Sequence, residues 1–169
     1  MAEYEQLAGK LIEAIRQQRP FAFGGFLRHL RRIHGAQKRM YSCSVGRTMV
    51  TVDPAGDVYP CHRFVGMEAF KMGNIFTGFD ADASRQRFLE ASVLSLQDCQ
   101  DCWARYLCSG HCLNEFAKAD GSFDSPDRLH CRLARREIEL SLFIYAKIRE
   151  EFPEMLKWLA EPAPTAPRT

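Results

Sequence analysis

Apolar side chains at Leu7, Leu11 and Ile15 line one face of a helix predicted over residues 4–17. Pro20 breaks the pattern. Phe23, Phe26, Leu27, Leu30 and Ile33 then outline a second helix with a basic outer face, ended by Gly35. Its phenylalanines read as core rather than as a binding surface. Two helices with no evident core of their own imply packing on something else. From Arg47 the period shortens to two: Thr48, Val50 and Val52 alternate with Met49 and Thr51, D-P-A-G-D interrupts, and V-Y-P-C follows. β-Branched residues at that period, broken by Pro54 and Gly56, predict a strand–turn–strand hairpin. A hairpin sets sequence-distant ends side by side, so Cys43 and Cys61 are expected to arrive together.

Residues 62–78 are glycine-spaced and read as a loop with short extended pieces. A helix is predicted from Ala83 to about Ser92. A cysteine-rich stretch follows, D-C-Q-D-C-W-A-R-Y-L-C-S-G-H-C, and then the turn-rich D-G-S-F-D-S-P-D around Gly121. Beyond Cys131 a long amphipathic helix is predicted, with Leu133, Ile138, Leu142, Tyr145 and Ile148 as its buried edge. The tail E-P-A-P-T-A-P-R-T is polar and proline-rich, and is expected to be disordered. The elements add up to an α+β chain: a small hairpin followed by cysteine-rich loops and helices, with two N-terminal helices and a long C-terminal helix.

A content of 46% hydrophobic and 26% charged residues marks a globular chain, and 169 residues suit one domain or a small domain with flanking helices. The net charge of +2 is too small to argue for a nucleic-acid partner. Local basic groups, Arg28, Arg31, Arg32, Lys38 and Arg39, or Arg132, Arg135 and Arg136, read as solvated helix faces. The N-terminal residues lack the apolar core and cleavage site of a secretory signal. No apolar run approaches the ~20 residues that cross a bilayer. A cytoplasmic protein with no membrane partner is expected, in a compartment that keeps thiols reduced.

Reducing surroundings change how the cysteines are counted. There are seven, Cys43, Cys61, Cys99, Cys102, Cys108, Cys112 and Cys131, an odd number that cannot pair off completely. Metal coordination is the better expectation. Zinc takes four ligands, commonly from two short knuckles, and only Cys99-x2-Cys102 has that spacing; two zinc ions would need eight ligands and recruit one of His29, His34, His62, His111 or His130. Iron–sulfur clusters tolerate more varied spacings, because a cluster is larger than one ion. Spacing favours a cluster over zinc and leaves both open. His62 and His111 adjoin cysteines and read as polar neighbours of ligands. Arg63 and Arg105 would favour the more negative, reduced state of a nearby cluster, but read first as surface charges.

The whole spacing is Cys43-x12-Gly56-x4-Cys61, then Cys99-x2-Cys102-x5-Cys108-x3-Cys112, then Cys131. It resembles the seven-cysteine signature of the SPASM domain, the C-terminal extension of many radical S-adenosylmethionine enzymes that modify peptides and proteins. The text C-S-V-G-R-T-M-V-T-V-D-P-A-G-D-V-Y-P-C-H-R-F-V-G also resembles that of thioether-forming and related crosslinking maturases. The resemblance runs from about Tyr41 to Arg132. It implies two auxiliary [4Fe–4S] clusters, the first held by Cys43, Cys61 and Cys112, the second by Cys99, Cys102, Cys108 and Cys131. Cys112 would then turn away from Cys108, towards the hairpin. The segmentation implied is 1–40 as a helical connector similar to the end of a radical enzyme's partial barrel, 41–152 as a SPASM-like iron–sulfur domain, and 153–169 as a short C-terminal segment and tail.

Two departures from the family pattern bear on function. Many members complete the first cluster with a further cysteine just before the signature, where G-A-Q-K-R-M-Y offers none. The expectation is that the first cluster keeps an open iron or recruits His34, a substrate thiolate or water. The family's radical chemistry also needs a Cys-x3-Cys-x2-Cys loop, and Cys108-x3-Cys112 leads to Glu115 where the third cysteine would stand. The expectation is therefore an auxiliary, cluster-carrying part of a split or truncated radical enzyme, not catalytic alone. It would pass electrons and help place a peptide or protein substrate, with S-adenosylmethionine bound only by a catalytic core outside this sequence, either a separate core protein or a missing N-terminal domain. The rival readings are a stand-alone iron–sulfur electron carrier or adaptor, and a structural zinc-binding interaction protein.

Overall fold

A computed structural model describes residues 1–123 and 128–160. The proline-rich tail and part of the turn-rich segment after Gly121 lie outside the described residues. In chain order the elements are α1 (Ala2–Arg16), α2 (Gly24–His34), β1 (Thr51–Val52), β2 (Asp57–Tyr59), β3 (Gly73–Asn74), β4 (Gly78–Phe79), α3 (Ala81–Glu90), α4 (Gln97–Gln100), α5 (Arg105–Cys108), α6 (Arg128–Glu151) and α7 (Leu156–Ala160). The fold is mixed α+β, with one small antiparallel sheet in the order β1-β2-β3-β4. Among the described residues no helix is long and apolar enough to cross a membrane.

The chain divides into two compact units, Met1–Lys38 with Arg132–Thr169, and Arg39–Cys131. The first is helical. The stripe of α1 (Ala8, Leu11, Ile15) and that of α2 (Phe26, Leu27, Leu30) share one core with Leu140, Ile144 and Ile148 of α6 and Met155 and Leu159 further on. What the two N-terminal helices pack on is thus the C-terminal part of the same chain, and α2 lies against α7. On the long helix Ile138 and Ile148 are buried as expected and Tyr145 packs against the core, whereas Leu142 departs from the expected edge. Leu142 is exposed, whereas Leu140 and Ile144 are buried. Two residues of α-helix turn about 200°, so Leu142 faces away from Ile144. The basic face of α2 is also not wholly solvated. Arg32 is buried, as is His29, whose imidazole burial lowers to a pKa of about 4, helped by the charges of Arg28 and Arg32. Glu137 sets its Oε1 3.8 Å from both His29 Nε2 and Arg28 Nη2, and burial raises its carboxyl above the usual range.

The second unit contains the sheet. Thr51 pairs with Tyr59 and Val52 with Val58. The first arm is shorter than the alternation predicts. Gly46 has a left-handed backbone (φ 63), and the N–H groups of Arg47 and Thr48 both donate to the Ser44 carbonyl, so residues 44–48 turn instead of extending. At the hairpin tip Asp53 Oδ1 accepts the N–H groups of Ala55 and Asp57 at 2.9 Å each, the local bonding that makes aspartate a turn residue. Gly56 has φ 85, and a Cβ there would lie 2.8 Å from the Phe76 ring. The segment expected to be a loop supplies two 3-10 turns, His62–Phe64 and Glu68–Phe70, and the β3–β4 hairpin. Phe64, Phe70, Phe88 and Phe123 pack edge to face or tilted, with centroid distances of 4.7–6.2 Å. This aromatic core also buries Cys61, Leu113 and Phe116, and so anchors both turns that follow cysteines.

Candidate metal centre

All seven cysteines lie in the second unit, and none is in a disulfide. Cys43 precedes the turn into β1. Cys61 follows β2 with extended backbone and opens the turn His62–Phe64. Cys99 is in α4, Cys102 just beyond it, and Cys108 ends α5. After Cys108 the chain reverses through two left-handed residues, Ser109 (φ 64) and Gly110 (φ 70), before Cys112 opens the turn Leu113–Phe116. Cys131 lies in the first turn of α6.

The electrostatics sort these thiols into two sets. The Cys61 thiol is pushed up chiefly by burial, and further by its neighbours Cys112 and Cys43. Cys99 is pushed up to about 11, again chiefly by burial, then by Cys108, Cys131 and Cys102. A buried thiol surrounded by thiols resists ionising because several negative sulfurs would share one low-dielectric region. A cation supplies the missing compensation, so the donor chemistry fits a metal or cluster bound by thiolates. Among the described residues, no three or more His, Cys, Asp or Glu side chains converge closely enough to hold a single metal ion. Zinc bound to tetrahedral thiolates at about 2.3 Å would need sulfurs within roughly 4 Å of one another.

Polar groups surround the three-membered set. Ser42 Oγ donates to Cys43 Sγ at 3.8 Å. The backbone N–H groups of Arg63 and Phe64 lower the Cys61 thiol against the effect of its burial, and that of Phe64 donates to the Cys61 carbonyl at 3.0 Å. The Arg63 guanidinium is raised above its ordinary range first by Glu115 and then by Cys112. Arg47 stacks on the Tyr41 ring at 4.0 Å and donates to the Cys43 carbonyl. A crevice beside Cys43 is lined in part by Tyr41, Ser42, Gly110 and His111.

Residues 43–103 match the family model for SPASM, an iron-sulfur cluster-binding domain. This stretch is similar to a SPASM domain. A SPASM domain binds iron–sulfur clusters, and its match here takes in Cys43, Cys61, Cys99 and Cys102. The chain is also 26% identical over 127 residues to an uncharacterized protein of Archaeoglobus fulgidus, covering 70% of this chain and 30% of that protein's length.

The histidines are distributed differently from the cysteines. His62 is exposed. His111 and His130 set their rings 4.6 Å apart, centre to centre, and both lower the Glu115 carboxyl a little after Arg63 does so strongly. His34 engages the Tyr145 hydroxyl through Nδ1 at 3.2 Å within the helical unit. Arg105 lies over the Tyr106 ring. Arg63 is more than a surface charge: it pairs with Glu115, 52 residues away. No sequence signal marks that pair, because its members follow different cysteines and meet only when both turns dock on the aromatic core.

Proposed function

We propose that residues 39–131 bind two [4Fe–4S] clusters, one through Cys43, Cys61 and Cys112 and the other through Cys99, Cys102, Cys108 and Cys131. In this reading the chain is the auxiliary part of a radical S-adenosylmethionine enzyme that crosslinks or matures a peptide or protein in the cytoplasm. The observation that carries the reading is the sorting of seven thiols into a set of three and a set of four within one unit. Its support is the family match over residues 43–103 together with the seven-cysteine spacing that extends past it.

When bound, such clusters supply storage and passage of single electrons. The residues of this chain do the rest. Burial of Cys61 and Cys99 keeps water from the thiolates, and the amides of Arg63 and Phe64 stabilise negative charge on sulfur. The crevice beside Cys43 measures about 10 Å³, no more than one water fills, so it would have to open to admit a substrate. A peptide thiolate is the fourth ligand this reading assigns to the three-thiol cluster. S-adenosylmethionine belongs to a catalytic core supplied from outside these 169 residues, since no Cys-x3-Cys-x2-Cys run occurs among them.

Anaerobic reconstitution and titration with a cysteine-containing peptide test the substrate role. A changed cluster absorption or spin-resonance signal, absent with the serine version of the peptide, is the expected result. An unaltered signal with both peptides contradicts the role.

A further inference from the structure

One face of the long helix stays outside the core of the helical unit. Glu139, Leu142, Ala146 and Arg149 of α6 are all exposed and recur at steps of three, four and three residues, which sets them along one seam of the helix. Phe143, beside the seam, is 52% exposed. Leu142, Tyr145, Ala146, Arg149 and Glu150 line an open hollow of about 440 Å³. The middle of the seam is apolar and its two ends carry opposite charge. Arg136 bonds both Glu5 at 2.6 Å and Glu139 at 3.0 Å, so two carboxylates share one guanidinium and the Glu139 end stays negative. Arg149 supplies the positive end.

That charge order selects what covers the face. Glu139 and Arg149 stand five residues to either side of position 144, and Leu142 and Ala146 two residues to either side. When a second copy of the helix runs antiparallel across a two-fold axis at that position, Glu139 faces the second copy's Arg149 and Leu142 faces its Ala146, each pairing occurring twice. Large meets small, and negative meets positive. On one flank of the seam the same register sets Arg136 against Glu150 and Phe143 against its own counterpart. A parallel pair would instead oppose Glu139 to Glu139 and Arg149 to Arg149, like charge on like. We infer that this face of α6 is the interface of a homodimer, in which two copies of the chain pack their long helices antiparallel about position 144 with Glu139 and Arg149 paired across the two-fold axis. The contact uses the helical unit alone, so it does not depend on what the thiols bind. A single helix pair meeting over four seam positions buries less than the ~1,600 Å² of a standard interface. The dimer is therefore weak and forms with rising concentration.

Sedimentation equilibrium of the full chain after anaerobic reconstitution tests the interface, over protein concentrations of about 10–500 μM, with far-ultraviolet circular dichroism checking that each variant is folded. Wild type is expected to shift reversibly from monomer to dimer. Leu142→Glu should stay monomeric throughout. Glu139→Arg should weaken the dimer roughly tenfold, because two like-charged contacts replace two attractive ones, and Arg149→Glu should do the same. Both swaps in one chain should restore wild-type association. Only pairing between copies explains that recovery, since the two positions lie ~15 Å apart on their own helix. A wild type monomeric at every concentration overturns the inference and leaves the face to another partner. So does a dimer that survives Leu142→Glu, or a double swap that associates no more tightly than the single ones. Should Leu142→Glu unfold, the three charge variants decide the matter by themselves.

Discussion

His29 shows how a single side chain can make the helical unit sensitive to acid. Its imidazole is 3% exposed and its pKa lies near 4, against 6.5 when unfolded. A base kept neutral by burial contributes stability that is complete above the unfolded pKa and lost as the pH falls through the folded one. The unit should therefore lose roughly 3 kcal/mol between pH 6.5 and pH 4, a loss that already includes the effect of Arg28 and Arg32 on His29. Glu137, raised by burial, works the other way, contributing stability below its ordinary range that is lost as the pH rises. Denaturant melts of wild type and His29→Gln across that range check the point: the variant's curve should be flatter, and parallel curves would refute the assignment. Gly56 offers a second residue-scale test. With φ 85 and Phe76 2.8 Å from any added Cβ, Gly56→Ala should lower stability by about 1–2 kcal/mol, read as a lower denaturation midpoint. Gly56 was legible in the D-P-A-G-D turn, and the cysteines in their spacing. Neither Arg63–Glu115 nor the burial of His29 was, because both depend on which turns or helices meet in three dimensions.

At the scale of elements, period and punctuation located both N-terminal helices to within two or three residues. The face of the long helix was harder to read. Leu133, Ile138, Leu142, Tyr145 and Ile148 form a valid helical stripe, yet Leu140, Ile144 and Ile148 form another, and only packing chooses between them. Ile144 is fully buried and Leu142 is 39% exposed. Ile144→Ala should therefore cost about 2–4 kcal/mol, whereas Leu142→Ala should stay within about 0.5–1 kcal/mol. Equal effects in chemical unfolding would restore the expected edge. The first hairpin arm failed for a local reason. Its alternating residues Met49, Val50 and Val52 are exposed, so no buried face enforced the pairing that period two suggested. The β3–β4 hairpin was read only as extended pieces, since two-residue strands with glycines carry almost no periodic signal.

In the molecule as a whole, the second unit joins chain segments that are far apart in sequence around its thiols. The hairpin presents Cys61, the left-handed reversal at Ser109 and Gly110 separates Cys112 from Cys108, and the first turn of α6 adds Cys131. Cofactor binding at such sites is coupled to folding, so chelating the iron should lower the melting temperature of this unit, an effect visible as loss of near-ultraviolet signal. The sharpest measurement counts iron and sulfide per chain after anaerobic reconstitution of wild type and of a Cys61→Ser/Cys112→Ser variant. The account predicts about eight of each in the wild type and about four of each in the variant. Zinc without sulfide, or a variant that retains the wild-type count, would contradict it.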